Sequence, residues 1–422
     1  MLNLVGKSLI FTDLHIGLKN DSLSRLSIIN KVILELITAI NKNDVKNIIF
    51  LGDLFHSRSF LNVNTINVAL EIVRTLASAI SGKFVLIVGN HDIYYKSKTD
   101  VNSVKIFESI PNVVIVDTKL EALLNGQNAL FVAWEADLSD IPDNHYNYVF
   151  GHFNVSSQYL IKSYISENKS KKLSAQKITL DLIERGIQFV NCEEVSKIIK
   201  ETDKSNKSSS EDLRQYFGSY IDKALEKGGK IYSGHIHSPK TFRIKGRYFE
   251  FVGCPYEQTF ADIGLELGYL IFDENNSSKK FIISGTPKHI IIKLSDILAL
   301  MKAKNCKVRE ALEEFSITSN IIKLIIDEDC DKRLQNEIID IIASLNPYDE
   351  APTEYTVIKQ NFSCIDEVES NLVDSIKTSK RDYIFEYIKH LNDDDLKSKN
   401  VKKSKLYEMF DKYIKLLSEE NH

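Results

Sequence analysis

Eight residues of metal-ligand or acid–base type stand at the ends of apolar runs: Asp13 and His15, Asp53, Asn90 and His91, His152, and His235 and His237. Carboxylates can bridge two cations, neutral imidazoles suit Mn, Fe or Zn, and an amide oxygen adds a ligand without adding charge. Two adjacent divalent ions can activate water at neutral pH and stabilise the attacking and leaving oxygens of an in-line phosphoryl displacement. A lone Asp-x-His or a lone buried histidine is common in proteins with no metal. The ordered set, each fragment following its own apolar run, carries the inference.

The runs themselves supply the positioning elements. Residues 7–12, 47–51, 83–88, 113–116, 128–134, 147–150 and 230–233 read as strands. Residues 22–41 and 64–80 carry apolar side chains at the three-four spacing of amphipathic helices. Strands separated by helix-length connections predict an α/β layered fold. Sites in such sheets form where loops leave the carboxyl ends of strands, so residues distant in sequence gather along one rim.

Beyond residue 155 the rhythm breaks. Residues 165–229 are rich in Lys, Ser, Glu and Asn, with helical stretches near 174–186 and 211–227 and a flexible linker over 201–212. This region reads as an insertion and a solvated surface excursion. A hairpin is expected around Lys245-Gly246, then strands over 268–273 and 279–284. Residues 288–360 alternate strands (289–294, 321–326, 354–359) with helices (295–303, 332–344), a small α+β module. The tail from 366 carries apolar stripes at Tyr383–Leu391 and Leu406–Leu417, two amphipathic helices that pack either on this chain or on another protein. The domains so read are 1–286, 287–365 and 366–422.

Composition sets the class. The chain has 422 residues, 43% hydrophobic and 27% charged, as in ordinary globular proteins. No apolar run approaches the ~18–20 residues needed to span a bilayer, and the first residues lack the zones of a signal peptide, so no membrane association and a cytoplasmic location are expected. Five cysteines lie scattered without a Cys-x-x-Cys pair, against both a disulfide framework and a thiolate cluster. Net charge is −4, so any grip on nucleic acid must be local, metal-mediated or supplied by a partner.

The motifs Asp13-Leu14-His15, Gly52-Asp53, Gly89-Asn90-His91, Gly151-His152 and Gly234-His235-Ile236-His237 resemble, in order, those of the calcineurin-like metallophosphoesterases. The resemblance covers roughly residues 7–285 and implies a β-sandwich flanked by helices. It assigns Asp13, His15, Asp53 and His237 to a first metal, and Asp53, Asn90, His152 and His235 to a second, with Asp53 bridging. His91 becomes the acid for the leaving oxygen. Gly52-Asp53-Leu54-Phe55-His56 looks like the SbcD-like nucleases, in which the histidine three beyond the bridging aspartate steadies the transition state, here His56. The stretch from Gly89 to Lys96, and Gly253-Cys254-Pro255-Tyr256 followed by Gly268–Asp273, resemble nuclease subunits of T-even-type phage recombination complexes.

That resemblance implies a DNA exo- and endonuclease activated by two divalent ions, expected to be Mn2+. It also implies a capping role for the α+β module, a homodimer, and an SMC-like ATPase of SbcC type bound by residues about 380–417. A small-molecule phosphodiesterase would share every ligand. A non-catalytic scaffold would not need the complete set.

Overall fold

The apolar runs that end on the candidate ligands are strands. Ser8–Phe11, Asn47–Phe50, Phe84–Ile87 and Tyr148–Gly151 are buried at every position, which is why they read as continuous hydrophobic runs instead of alternating ones. The computed structural model describes residues 1–357, apart from 96–97, 137–145, 154–160, 162–163, 166–167, 169–172, 185–191, 205–228, 245–246, 276, 316, 318–319, 328–330 and 346–353.

Among the described residues, a six-stranded sheet runs in the order Ser278–Ile282, Gly268–Phe272, Ser8–Phe11, Asn47–Phe50, Phe84–Ile87, Val113–Val116. The last four strands are mutually parallel. A seven-stranded sheet runs Leu2–Leu4, Lys119–Leu124, Gln127–Val132, Tyr148–Gly151, Lys230–Ser233, Arg247–Phe251, Lys240–Ile244, with the four strands from Gln127–Val132 to Arg247–Phe251 parallel. Phe131, Phe150 and Tyr232 project from it toward the six-stranded sheet, and the Phe150 and Tyr232 rings lie 6.4 and 6.0 Å from that of Phe272. The two sheets therefore share one core, as the α/β layered expectation requires.

Helices cover both outer faces. Leu23–Asn43 and Val63–Ser78 bury Leu26, Ile29, Ile72 and Val73 against the six-stranded sheet. The second starts where the Asn62 side chain accepts from Thr65 N at 2.8 Å, satisfying a first-turn donor. On the other side, alternate residues Leu130, Val132, Val149 and Ile231 meet Ile178, Leu182, Val195 and Ile198 of helices Ala175–Glu184 and Cys192–Lys204.

This corrects two expectations. The described part of the 165–229 insertion is a structural layer, because the sheet's outer face is apolar and must be covered. Glu201–Lys204, taken as linker, completes a helix. The helix expected over 211–227 lies outside the described residues. Short strands at Leu2–Leu4 and Lys119–Leu124, the hairpin Ile93–Tyr95 with Lys98–Asn102, and the helix Val308–Glu313 went unread.

A three-stranded parallel sheet, His289–Lys293, Ile321–Ile326 and Glu354–Val357, carries helices Leu294–Lys304, Val308–Glu313 and Lys332–Leu345 and has its own core around Ile292, Leu324, Ile338 and Ile342. The chain divides into two units, Met1–Val357 and Ile358–His422. The tail helices expected near 383–391 and 406–417 lie outside the described residues. No described helix is long and apolar enough to cross a membrane.

Candidate metal centre

Every motif loop leaves the carboxyl end of a strand of the shared core, and the structure brings all nine singled-out residues into one cluster. The six-stranded sheet sends Asp13, His15, Asp53, His56, Asn90 and His91; the seven-stranded sheet sends His152, His235 and His237. Ligand atoms of Asp13, His15 and His237 lie within 4.8 Å of one another, as do those of Asp53, His152 and His235, and those of His15, His56 and His91.

The backbone is bent to achieve this. Asp13, His15, Asp53 and His235 adopt left-handed φ values of 54°, 47°, 58° and 79°. Each such non-glycine residue costs about 1–3 kcal/mol, a strain that surrounding structure must enforce. Gly52, at φ 101°, supplies the turn into Asp53. A Cβ on Gly89 would sit 2.3 Å from Asp53 N and Oδ1, so only glycine lets the two loops touch.

Asp92 does much of the enforcing, and the sequence reading assigned it no role. Its buried carboxylate accepts four main-chain N–H bonds: Asp53 and Gly89 at 2.9 Å on Oδ2, Leu54 at 3.0 Å and Phe55 at 3.1 Å on Oδ1. Burial, then the nearby Asp53 charge, push its pKa up to about 7 against these amide donors. The Asp53 loop and the Asn90-His91 loop are thus clamped through one side chain. His91 N–H adds a bond to Asp53 Oδ1 at 2.7 Å.

The donor set fits a pair of cations. Asp13 Oδ1 is buried with no hydrogen-bond partner among the described residues and lies 3.8 Å from both His15 Nε2 and His237 Nε2. Those two imidazole nitrogens approach to 3.1 Å, an arrangement that needs a shared proton or a cation between them. Asp53 Oδ2 is 3.7 Å from His15 Nε2 and 3.3 Å from His152 Nε2, so this one oxygen reaches both groups. Asn90 Oδ1 faces His152 Nε2 at 3.0 Å and His235 Nδ1 at 2.8 Å. The His152 Nδ1–H donates to the Leu51 carbonyl at 2.7 Å, which fixes the ring and turns Nε2 inward.

Electrostatics separates the groups. Burial raises both carboxylates and prevails at Asp13; at Asp53 it is overcome by the His152 charge and hydrogen bond, and the pKa falls below the usual range. Burial opposes the charge on His152, yet Asp53 prevails and lifts it to about 9. Burial and the His152 charge push His235 down to about 4. A cation taken up beside Asp53 would displace the His152 proton, a normal consequence of ligation by imidazole.

His91 and His56 stand beside these groups. The His91 ring is 4.8 Å from His15 and stacks 5.8 Å from His56. Its Nδ1–H donates to the His56 carbonyl at 2.6 Å, leaving Nε2 for solvent or substrate. Burial, then the His91 charge, lower the His56 pKa. Trp134, the chain's one tryptophan, also went unread; its ring is 4.9 Å from His235 and 5.8 Å from His152. A fourth group, His237, Cys254 and Asp262, lies alongside. Burial pushes the Cys254 thiol well up, and it donates to the Tyr256 carbonyl at 3.1 Å.

The calcineurin-like phosphoesterase family profile matches residues 6–239, and the chain belongs to that family, a metal-dependent phosphoesterase. It is 21% identical over 388 residues to exonuclease subunit 1 of Enterobacteria phage T4, an alignment covering 90% of this chain and 96% of that protein. A solved archaeal phosphodiesterase aligns with 66% of this chain and 99% of its own, at 11% identity and a TM-score of 0.29.

Proposed function

We propose that the protein is the metal-dependent DNA exo- and endonuclease subunit of an SbcCD-like complex that processes DNA ends in recombination and double-strand-break repair. The observation that carries this reading is the alignment with an exonuclease subunit through nearly the full length of both chains, beyond the phosphoesterase region. Asp13, His15, Asp53 and His237 hold the first ion, and Asp53, Asn90, His152 and His235 the second. Two Mn2+ ions there would supply a nucleophilic water at neutral pH and neutralise charge at phosphorus.

The chain's own residues do the rest. His91, with Nδ1–H committed to the His56 carbonyl, presents Nε2 to protonate the leaving 3′-oxygen. His56, its pKa lowered by burial and by His91, donates an N–H to the non-bridging oxygens. Residues 287–365 cap the DNA, residues about 380–417 bind an SMC-like ATPase of SbcC type, and the nuclease acts as a homodimer in the cytoplasm.

The test uses wild type and Asp53→Ala with Mn2+, end-labelled duplex and single-stranded DNA, and bis-p-nitrophenyl phosphate in parallel. Degradation of DNA by wild type alone supports the nuclease. Cleavage of the small ester with DNA untouched, even with the ATPase added, replaces it with a small-molecule phosphodiesterase.

A further inference from the structure

The segment Cys254–Asp262, which follows strand Arg247–Phe251, touches both loops of the first metal position. The Cys254 N–H donates to the His237 carbonyl at 3.0 Å. The Tyr256 hydroxyl donates to the Leu14 carbonyl at 3.0 Å, and Gln258 Nε2 donates to the Asp13 carbonyl at 2.6 Å. Asp262 closes the turn beneath them, its Oδ2 accepting from Gln258 N at 3.0 Å and Thr259 N at 2.8 Å. Tyr256 and Gln258 are buried, so each polar atom must be partnered or cost stability. Their partners are the main chain of the Asp13-Leu14-His15 loop.

Glu257, between them, serves the opposite side. Its Oε2 accepts from the N–H of His289 at 2.6 Å and lies 3.3 Å from the His289 Nδ1. Its Oε1 lies 3.6 Å from Lys288 Nζ. The other His289 nitrogen meets Arg25 Nη2 at 3.4 Å. Phe260 packs its ring 4.7 Å from the His289 ring and beneath Lys323 Nζ at 5.5 Å. His289 begins the first strand of the three-stranded sheet, and Lys323 lies in its central strand. Alternate residues of one short segment therefore hold the ligand loop and the α+β module.

We propose that Tyr256 and Gln258 are positioning residues for the Asp13–His15–His237 cation position, and that Glu257 ties them to the three-stranded module so that the seating of the module sets the affinity of that position. The inference rests on the ligand assignment above and not on DNA being the substrate. Groups that orient metal ligands from behind govern affinity by about 10–100-fold.

The experiment titrates the full chain with Mn2+ alone, counting bound ions by the electron paramagnetic resonance of free Mn2+. Fluorescence of Trp134 is followed in parallel and reports the position beside His235. Gln258→Leu and Tyr256→Phe should weaken one binding step about 10–100-fold and leave the step seen by Trp134 unchanged. Glu257→Ala, which touches no ligand loop through its side chain, should produce the same selective loss, and Glu257→Gln, which keeps an acceptor for the His289 N–H, should restore most of it. Leu182→Ala, in the helix layer over the seven-stranded sheet, should lower stability and spare both steps. Wild-type binding in Gln258→Leu, or equal weakening of both steps in Gln258→Leu and in Leu182→Ala, overturns the positioning role. Wild-type binding in Glu257→Ala overturns the tie to the module. Ion binding is read without DNA, so these outcomes are independent of whether the wild type cuts DNA.

Discussion

Asp92→Asn tests the clamp that holds the centre together. One carboxylate serves four buried main-chain donors, two on each oxygen. The substitution keeps shape and volume and turns one oxygen into an NH2 group that faces two N–H donors. Each stranded amide costs about 1–3 kcal/mol, so the expected loss is about 2–6 kcal/mol. That is a large share of the ~5–15 kcal/mol by which a folded protein is stable. The assay is urea unfolding above the Asp92 pKa of about 7, where the wild-type group is the carboxylate, in excess EDTA so that bound ions do not mask the change. The same clamp places Asp53 and, through its N–H bond to Asp53, His91. A shift of this loop by about 1 Å should lower kcat on bis-p-nitrophenyl phosphate about 100-fold. A variant within 1 kcal/mol of wild type on that scale, with unchanged kcat, would refute the reasoning.

Three further outcomes are expected. His91→Ala should retain both Mn2+ ions and lose about 10²–10⁴-fold in kcat, and loss of the ions would contradict its role as acid. Stripping divalent ions should lower the urea midpoint, since an ion at 100 times its Kd adds about 2.7 kcal/mol per site; identical midpoints with and without Mn2+ would mean no ion binds the native state. Burial, aided by the Arg25 charge, pushes His289 down to about 3. The unfolded imidazole gains a proton near pH 6.5 and the folded one does not, so this stability is present above pH 6.5 and is lost as pH falls toward 3. At pH 5 the loss is about 2 kcal/mol, and His289→Asn should remove that portion of the pH dependence; an unaltered slope would show that the imidazole is not the group responsible.

The strand ends that carry Asp13, Asp53, Asn90, His152 and His235 were legible because a strand buried on both faces leaves an unbroken apolar run, and the residue type that ends it stands out. Helices such as Leu23–Asn43 were legible from the three-four spacing of Leu26, Ile29, Ile33 and Leu36. Asp92 was not, because its partners are main-chain amides, which have no residue type to recognise. Gln258 was silent for the same reason, and Tyr256 stood in a recognised motif without a legible role, since both donate to carbonyls more than 240 residues away. Lys119–Leu124 was missed because its side chains are largely half-buried, with no continuous apolar run to mark it. The helix at Cys192–Lys204 ends in polar residues, so composition suggested a linker where burial of Val195 and Ile198 decides the structure.

The division of the candidate ligand set between two sheets has a consequence for how the chain folds. Asp13, Asp53 and Asn90 come from one sheet and His152, His235 and His237 from the other, with His15 and His237 222 residues apart. Neither sheet alone offers a complete site, and closing a loop of that length belongs to the slow, late part of folding. The cation pocket therefore comes into being only when the sandwich closes. Ions captured then would act as rivets across the sheet interface, absent from a transition state in which the sheets have not yet met. They should slow unfolding far more than they hasten folding.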